Sequence, residues 1–320
     1  MKYYSKEEIV KAKEIDLLTY LQNYDPNELI HTSRENYTTK THDSLKISNG
    51  MWYWFSRGIG GKTALEYLIQ VKELSFIQAV EMILGESKKS PPSLHEIKEK
   101  EKIDRLILPK KSVQYNKIKE YLTSRGIDED LIQECIDNDL IYEQYPNKNV
   151  IFVGYDENKN PRYACCRATN SSKYVNEASG SDKKFSFRLL SKEVKNTVHL
   201  FESAIDLLSY ATLLKEKGLK WYEENLISLA GVYQSANNIL NSKIPKAIDY
   251  FLENNLQIEK IYIHFDNDIV GRKATKTLEL LLKNKYEIID IQVPFGKDVN
   301  DFLCFKKGIN MEKQSKSYEK

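Results

Sequence analysis

Three apolar stretches in the last part of the chain each lead into acidic residues, and this pattern constrains the fold more than any other feature. The stretches and their acids are residues 198–201 with Glu202, residues 261–265 with Asp266 and Asp268, and residues 288–293 with Asp298. Stretches with helical spacing, including 204–217 and 270–283, separate these runs and a further one at 226–230. The alternation predicts a parallel α/β sheet. Because side chains at the carboxyl ends of parallel strands converge on one crevice, we expect the acids to meet there.

Such a cluster of carboxylates supplies the hard oxygen ligands that Mg²⁺ prefers. One or two ions held there would bridge phosphate oxygens and align an attacking oxygen. Asp266 and Asp268 have an alternative role, because aspartate commonly caps a helix and one is expected to begin near Val270. For an isolated pair, capping would be favoured. Three acidic strand ends in one unit favour the metal site.

Length and composition limit the class of protein. The chain has 320 residues, enough for two or three domains. Lys and Arg number 48 against 46 Asp and Glu, so a uniformly basic nucleic-acid binder is excluded. No apolar stretch approaches the roughly 20 residues that span a bilayer, and the first residues lack a signal-peptide core. The cysteines show no paired spacing, so we expect a cytoplasmic protein without a membrane partner.

Periodicity and composition divide the chain into five segments, so we predict a multi-domain α/β protein. The segments are a small α+β domain at 1–85, a Lys- and Glu-rich linker at 86–111, a basic α+β subdomain at 112–192, the parallel α/β domain at 193–305 and a polar tail at 306–320. In the first segment we expect an extended aromatic run at 51–55 and a helix from Ser75 that ends at Gly85. In the third we expect helices at 116–124 and 128–138, and strands at 150–155, 163–168 and 185–190.

The third segment is locally basic, and aromatic residues are interleaved with its cations. This mixture suits a groove that follows a nucleic-acid backbone and stacks its bases. From composition alone, a solvated sheet face with ordinary lysines fits as well.

The acidic blocks at 201–206, 265–274 and 296–303 resemble the three motifs of a Toprim domain. The likeness is closest to bacterial DnaG-like primases and their plasmid or mobile-element relatives. By this resemblance the metal positions are Glu202, Asp206, Asp266, Asp268 and Asp298, and the catalytic acids among them are Glu202, Asp266 and Asp268. Asn300 departs from the pattern, because it stands where the bacterial replicative enzymes usually carry a second Asp.

Residues 121–127, 149–156 and 162–167 resemble the basic subdomain that precedes Toprim in such primases. The resemblance implies that its cations face the template and the phosphates of the incoming nucleotide. The candidate contacts are Arg162, Arg167, Lys184 and Arg188 in this subdomain, and Lys297 in the parallel α/β domain. Arg167 is the strongest, since a guanidinium can contact phosphate through two parallel hydrogen bonds.

Residues 52–67 and 74–80 resemble the zinc-binding domain of these primases without its ligands. Trp54 and Arg57 stand where two cysteines are expected. No cysteine precedes Cys135, so a cysteine-based zinc site cannot form and we expect no zinc. Trp52, Trp54 and Arg57 are candidate contacts to single-stranded DNA.

The resemblance implies a primase that joins nucleoside triphosphates on single-stranded DNA with Mg²⁺ or Mn²⁺, in plasmid or mobile-element replication. The resemblance also allows a replicative helicase as a partner. Two alternatives remain. One is a Toprim nuclease that uses the same acids on a phosphodiester, and the other is a non-catalytic accessory that binds single-stranded DNA during replication or mobilisation.

Overall fold

The computed structural model describes residues 4–33, 35–89, 92, 105–170, 174–231 and 242–309. The chain forms two compact units, Met1–Glu101 and Lys102–Lys320. Most of the expected polar tail and the Glu- and Lys-dense middle of the expected linker lie outside the described residues. Within the described ranges, no helix combines the length and the apolar character needed to cross a bilayer.

The first unit combines four helices with an antiparallel sheet around one core. The helices are α1 (Lys6–Glu14), α2 (Leu17–Tyr24), α3 (Ala64–Gln70) and α4 (Phe76–Lys89). The strands are β1 (Leu29–Ser33), β2 (Asn36–Thr39), β3 (Leu45–Ser48), β4 (Met51–Trp54) and β5 (Ile59–Gly61), paired in that order. Helix α4 does not end at Gly85 as expected. This glycine does not adopt the positive φ of a helix-terminating glycine, and an interior glycine costs only about 1 kcal/mol.

The second unit begins with two helices and a four-stranded antiparallel sheet. The helices are α5 (Asn116–Ser124) and α6 (Glu129–Asp137), and the strands are β6 (Ile141–Glu143), β7 (Val150–Tyr155), β8 (Pro161–Arg167) and β9 (Val175–Glu177). The strand expected at 185–190 is shorter. The Asp182 side chain accepts a hydrogen bond from the Lys184 amide and caps a 3₁₀ turn, so only Arg188–Leu189 is extended.

That short strand, β10, is the antiparallel edge of a second sheet, whose other four strands are parallel. These are β11 (Thr197–Phe201), β12 (Leu226–Ser228), β13 (Lys260–His264) and β14 (Glu287–Asp290), in the order β10–β12–β11–β13–β14. The connecting helices are α7 (Ala204–Glu216), α8 (Lys246–Asn254) and α9 (Ile269–Leu282), and α10 (Val299–Lys306) follows β14. The structure thereby confirms the predicted α/β fold class with its parallel sheet.

The antiparallel and parallel parts of the second unit share one hydrophobic core. Leu122 and Ile127, on either side of the α5–α6 turn, belong to the same buried cluster as Leu207 of α7 and Leu303 of α10. Burying a leucine contributes about 1.5–3 kcal/mol, so these contacts hold the α5–α6 turn firmly against α10. This packing brings residues from both parts of the unit to the edge of the parallel sheet.

A carboxylate cluster at the edge of the parallel sheet

The acids that follow β11 and β13 lie side by side. Phe201 and His264, the last residues of these strands, are register partners, so the chain leaves both strands at the same level of the sheet. The Asp266 amide donates a hydrogen bond to Glu202 Oε1 over 3.1 Å. The convergence expected from the strand pattern is therefore present for this pair of residues.

Four of the five predicted metal ligands line a single cavity of about 220 Å³. They are Glu202, Asp206, Asp266 and Asp298. Asp206 comes from the first turn of α7, and Asp298 is the N-cap of α10, where it accepts a hydrogen bond from the Asp301 amide over 2.8 Å. Asp298 thus enters from a helix start and not directly from the end of β14, which is at Asp290.

Burial, together with repulsion between neighbouring carboxylates, raises the pKa of three of these acids, Glu202, Asp206 and Asp298. Glu202 is 5% exposed; burial, followed by the nearby Asp266 carboxylate, raises its pKa to about 7. Burial and then Asp298 raise the pKa of Asp206, although Ser203 Oγ donates to it over 2.6 Å. Burial also raises the pKa of Asp298. Closely spaced buried carboxylates cannot all ionise without a balancing positive charge.

Lys297 provides positive charge at one side of the cluster. Its Nζ lies 2.8 Å from Asp266 Oδ2 and 3.1 Å from Asp268 Oδ2. Hydrogen bonding to Asp266 raises the pKa of the lysine. Lys297 was predicted to contact nucleotide or template, and in the structure it lies against the acids.

Asp268 takes the capping role that the sequence left open. Its Oδ1 accepts hydrogen bonds from the Val270 and Gly271 amides over 3.0 and 2.9 Å at the start of α9. Burial would raise its pKa, but the Gly271 amide and Lys297 outweigh burial and lower it. Its second oxygen still faces Lys297, so capping does not remove Asp268 from the cluster.

The strand-end turn that carries Asp266 is held from both sides. A Cβ on Gly271 would lie 2.2 Å from the Asp266 carbonyl oxygen, so only glycine permits this approach of α9. Arg272 Nε donates to the same carbonyl over 3.1 Å, and its guanidinium pairs with Asp290 at 2.7 Å. Sequence reasoning did not single out this positioning role of Arg272.

Two arginines from the antiparallel part of the unit line the same cavity. Arg167 was predicted; its Nε donates to the Tyr121 hydroxyl over 3.0 Å, which orients the guanidinium. Arg125 was not predicted, since the sequence around it indicates only a turn between two helices. Its Nε is buried and has no hydrogen-bond partner among the described residues.

Asn300 links the α5–α6 turn to the cluster. It is 1% exposed, and its Nδ2 donates to the Arg125 carbonyl over 2.8 Å and to Ser209 Oγ over 2.9 Å. The backbone amide of Asn300 donates a hydrogen bond to Asp206 Oδ1 over 3.3 Å. The residue that departs from the family pattern therefore holds the Arg125 backbone in place.

The other predicted cations lie elsewhere. Arg162 is near Asp156, with 3.7 Å between the charged groups, and 5.3 Å above the Phe185 ring. Lys184 is exposed and lies 5.6 Å from the Tyr250 ring centre. Arg188 donates to the Ser186 and Lys184 carbonyls, and burial lowers its pKa to about 10. The structure brings none of these three to the wall of the carboxylate cavity in the described part of the chain.

Two of the three candidate DNA contacts of the first unit are buried, and the prediction for Arg57 stays a prediction. Trp52 and Trp54 are 2% and 6% exposed, because the inward-facing positions of β4 point into the helical core. Neither ring is available to stack on a strand. Arg57 lies over the Trp54 ring at 4.9 Å, while the neighbouring Phe55 is 63% exposed.

The donor chemistry of the cluster fits a divalent cation, because such cations prefer carboxylate oxygens as ligands. A dication would also offset the burial and the repulsion from Asp266 that raise the pKa of Glu202. In the described ranges, no three or more acidic, histidine or cysteine side chains are placed so that they could together hold a metal ion.

A larger cavity adjoins the carboxylate cavity. Its volume is about 460 Å³ and its lining is mainly apolar, with Phe152, Phe187 and Ile205 among the wall residues. The residues that line both cavities are Arg167, Ser203, Ile205 and Gly231. An apolar chamber therefore opens beside the charged one.

Comparison with known proteins assigns two segments. Residues 199–303 match a family described as Toprim-like, and residues 120–193 match a family described as a protein of unknown function, DUF3991. No curated protein matches the chain. The second match covers most of the segment 112–192 that was predicted as a basic subdomain and ends one residue beyond it.

Several solved structures match over much of the chain. The primase fragment of the bacteriophage T7 primase-helicase protein is 16% identical with a TM-score of 0.44, over 88% of this chain and 94% of that one. The zinc-binding and RNA polymerase domains of the Aquifex aeolicus primase are 18% identical with a TM-score of 0.38, over 98% and 86%. The RNA polymerase domain of Mycobacterium tuberculosis primase DnaG is 12% identical with a TM-score of 0.42, over 65% and 76%.

All five predicted acids fall within the segment that matches the Toprim-like family. The match confirms the resemblance inferred from the three acidic blocks. Residues 199–303 of this chain are a Toprim-like domain.

Proposed function

We propose that this chain is a template-directed primase, which joins nucleoside triphosphates on single-stranded DNA at the carboxylate cluster. The observation that carries the proposal is the convergence of four carboxylates, two arginines and Lys297 on one cavity at the edge of the Toprim-like domain. Acids alone would repel a triphosphate, whereas acids combined with cations and a metal ion suit one.

Glu202, Asp206, Asp266, Asp268 and Asp298 would hold Mg²⁺ or Mn²⁺ in this proposal. A bound ion would neutralise phosphate charge, favour attack by a 3′-hydroxyl and stabilise the pyrophosphate that leaves. The raised pKa of Glu202 supports the assignment, because a carboxyl group that is crowded by other carboxylates gains from a nearby dication.

Arg125 and Arg167 would bind the triphosphate. Tyr121 fixes the Arg167 guanidinium, so little conformational freedom is lost when it binds phosphate. Arg125 lines the cavity, so its guanidinium would contact a phosphate bound there. Asn300 would act as a positioning residue, because it holds the Arg125 backbone.

The apolar cavity would take the base and sugar of the nucleotide. It shares the Arg167 wall with the carboxylate cavity, so a nucleotide could span both, with its phosphates facing the acids. Pockets for small ligands are commonly apolar with a few well-placed polar groups, as here. This chamber favours a nucleotide-using enzyme over a nuclease, which needs no separate nucleotide pocket.

The test is primer synthesis by the full chain from labelled nucleoside triphosphates on several single-stranded templates, with Mg²⁺ or Mn²⁺. We expect labelled oligonucleotides from the native protein and a loss of at least about 100-fold in Glu202→Gln and Asp266→Asn, the scale expected when transition-state charge stabilisation is removed. Asp249→Asn, which removes an exposed carboxylate on α8, is the matched control and should be as active as the native protein.

Native protein that binds the templates but makes no product would contradict the proposal. Metal-dependent nicking without nucleotides would favour a nuclease. Full synthesis by Asp266→Asn would show that the cluster is not the site of the reaction.

A further inference from the structure

Two phenylalanines beside the carboxylate cluster stack on each other and remain half open to solvent. Phe295, in the loop before α10, is 52% exposed, and Phe305, near the end of α10, is 56% exposed. Their ring centres are 4.0 Å apart with an angle of 26° between the ring planes. We call this pair the aromatic platform. Stacked phenyl rings are usually buried, because burial removes their apolar area from water. An exposed stacked pair is therefore a candidate ligand-binding surface.

The platform is fixed relative to the acids. The Asn267 amide donates to the Lys297 carbonyl over 2.7 Å, and its side chain donates to the Val293 carbonyl over 3.2 Å. These bonds tie the loop that carries Phe295 to the turn after β13. Phe295 lies two residues before Lys297, which contacts Asp266.

Phe305 has a similarly defined position. Helix α10 begins with Asp298 as its N-cap, and Phe305 lies seven residues further along. At about 1.5 Å per residue, the helix places it about 10 Å along the axis from that acid. A nucleic-acid strand that passes the cluster would reach this distance within a few nucleotides.

Cationic side chains lie next to the platform, and Asp301 lies one turn before Phe305 on the same helix. Lys306 and Lys307 both contact the same carboxylate, Glu216, at 3.3 Å each. One carboxylate cannot neutralise two ammonium groups. Exposed aromatic rings next to positive charge are the combination that binds single strands without reading their sequence.

We propose that the aromatic platform stacks on an unpaired base of a DNA single strand that passes the carboxylate cluster. The inference rests on the proposed function, which brings the strand to this edge of the sheet. A stable protein interface buries about 1,200–2,000 Å², far more than two half-exposed rings supply, whereas one base needs only a ring face. The platform therefore fits a base better than a protein partner.

The experiment compares binding of two oligonucleotides of equal length and charge, one with all its bases and one with abasic sites. Native full-length protein should bind the complete strand more tightly. In the double variant Phe295→Leu/Phe305→Leu, which keeps apolar side chains but removes the rings, affinity for the complete strand should fall about 5- to 100-fold, the range of base–aromatic stacking. Its affinity for the abasic strand should stay unchanged.

A second variant guards against misfolding. Phe295→Trp keeps an aromatic face, so it should bind as the native protein does, and its added fluorescence should be quenched by the complete strand only. The matched control is Tyr222→Leu, which removes an exposed ring elsewhere on the second unit and should have no effect.

The outcomes separate this inference from the proposed function. If the double variant Phe295→Leu/Phe305→Leu binds both strands as the native protein does, the platform is not a base-stacking site. If that variant instead changes the oligomeric state in gel filtration and not DNA binding, the rings belong to an interface between copies, and the inference is overturned. If Phe295→Leu/Phe305→Leu loses affinity for the complete strand alone but the native protein makes no primers, the platform is supported and the primase proposal fails.

Discussion

Replacing Asn300 by aspartate distinguishes between what the family pattern and the structure predict for this position. The resemblance places an acid here in the replicative enzymes, so Asn300→Asp would restore a metal ligand and strengthen ion binding. In the structure the side-chain amide instead donates to the Arg125 carbonyl and to Ser209 Oγ. Ser209 Oγ donates to the Ile205 carbonyl over 2.8 Å and accepts from residue 300. A carboxylate would face two acceptors and no donor.

The size of the effect follows from the burial of this side chain, which is 1% exposed. An introduced carboxyl group would have to stay protonated. Holding it neutral at pH 7 costs about 4 kcal/mol, since its ordinary pKa is near 3.9 and each unit is worth about 1.4 kcal/mol. A protonated carboxyl has one donor, so one hydrogen bond worth about 1 kcal/mol is also lost. The second unit should lose about 5 kcal/mol of stability, or about 10–20 °C in melting temperature.

The assay is thermal unfolding of native protein, Asn300→Asp and Asn300→Ala, each with and without Mg²⁺. Asn300→Ala loses two hydrogen bonds without adding a charge, so we expect a cost of about 2–3 kcal/mol. Asn158→Asp, at an exposed turn position, is the control and should be neutral. Equal stability of Asn300→Asp and native protein, together with stronger Mg²⁺ binding, would refute the reasoning and return residue 300 to the ligand set.

Two further predictions concern the stability of the fold. A Cβ on Gly154 would lie 1.6 Å from the Phe185 carbonyl oxygen, so Gly154→Ala should destabilise the second unit by more than about 3 kcal/mol in urea unfolding, while Gly85→Ala, with open space around it, should be neutral or stabilising. A native-like midpoint for Gly154→Ala would contradict this. Lys215 Nζ lies 2.6 Å from Asp128 Oδ1. Burial alone would raise the pKa of Asp128, but the hydrogen bonds from Lys215 and from the backbone lower it. The stabilisation is therefore present above the ordinary pKa of aspartate and lost as the pH falls through the folded value. Lys215→Met should be less stable by at most about 1 kcal/mol at pH 7 and equal to native protein near pH 2, and a difference that persists in acid would rule out this linkage.

The parallel sheet and its acidic edge could be predicted because both depend on local pattern. Apolar runs of four to six residues that alternate with helical stretches leave few topologies, and the strand ends then follow from the chain direction. The strands β6 (Ile-Tyr-Glu) and β9 (Val-Asn-Glu) were missed because neither lies in an apolar run of that length, whereas β12, equally short, lies in the run 226–230.

The predictions for Trp52 and Trp54 failed for a different reason. Alternation along β4 shows that one set of side chains faces inward, but it does not show which face of the sheet the helices cover. The helices cover the tryptophan face, which buries both rings and leaves Phe55 exposed. Which aromatic residues can contact a ligand was therefore a matter of packing.

The sequence by itself determined the strand–helix alternation, the acids at the strand ends and the Toprim-like character of residues 199–303, because each depends on neighbouring residues in the chain. Only the tertiary structure decided that Arg125 joins the acids, that Asn300 holds it there, and that Phe295 stacks openly on Phe305. These contacts unite residues from different elements. Their positions follow from how the α5–α6 turn, α10 and the loop before it pack together, and no local pattern records that packing.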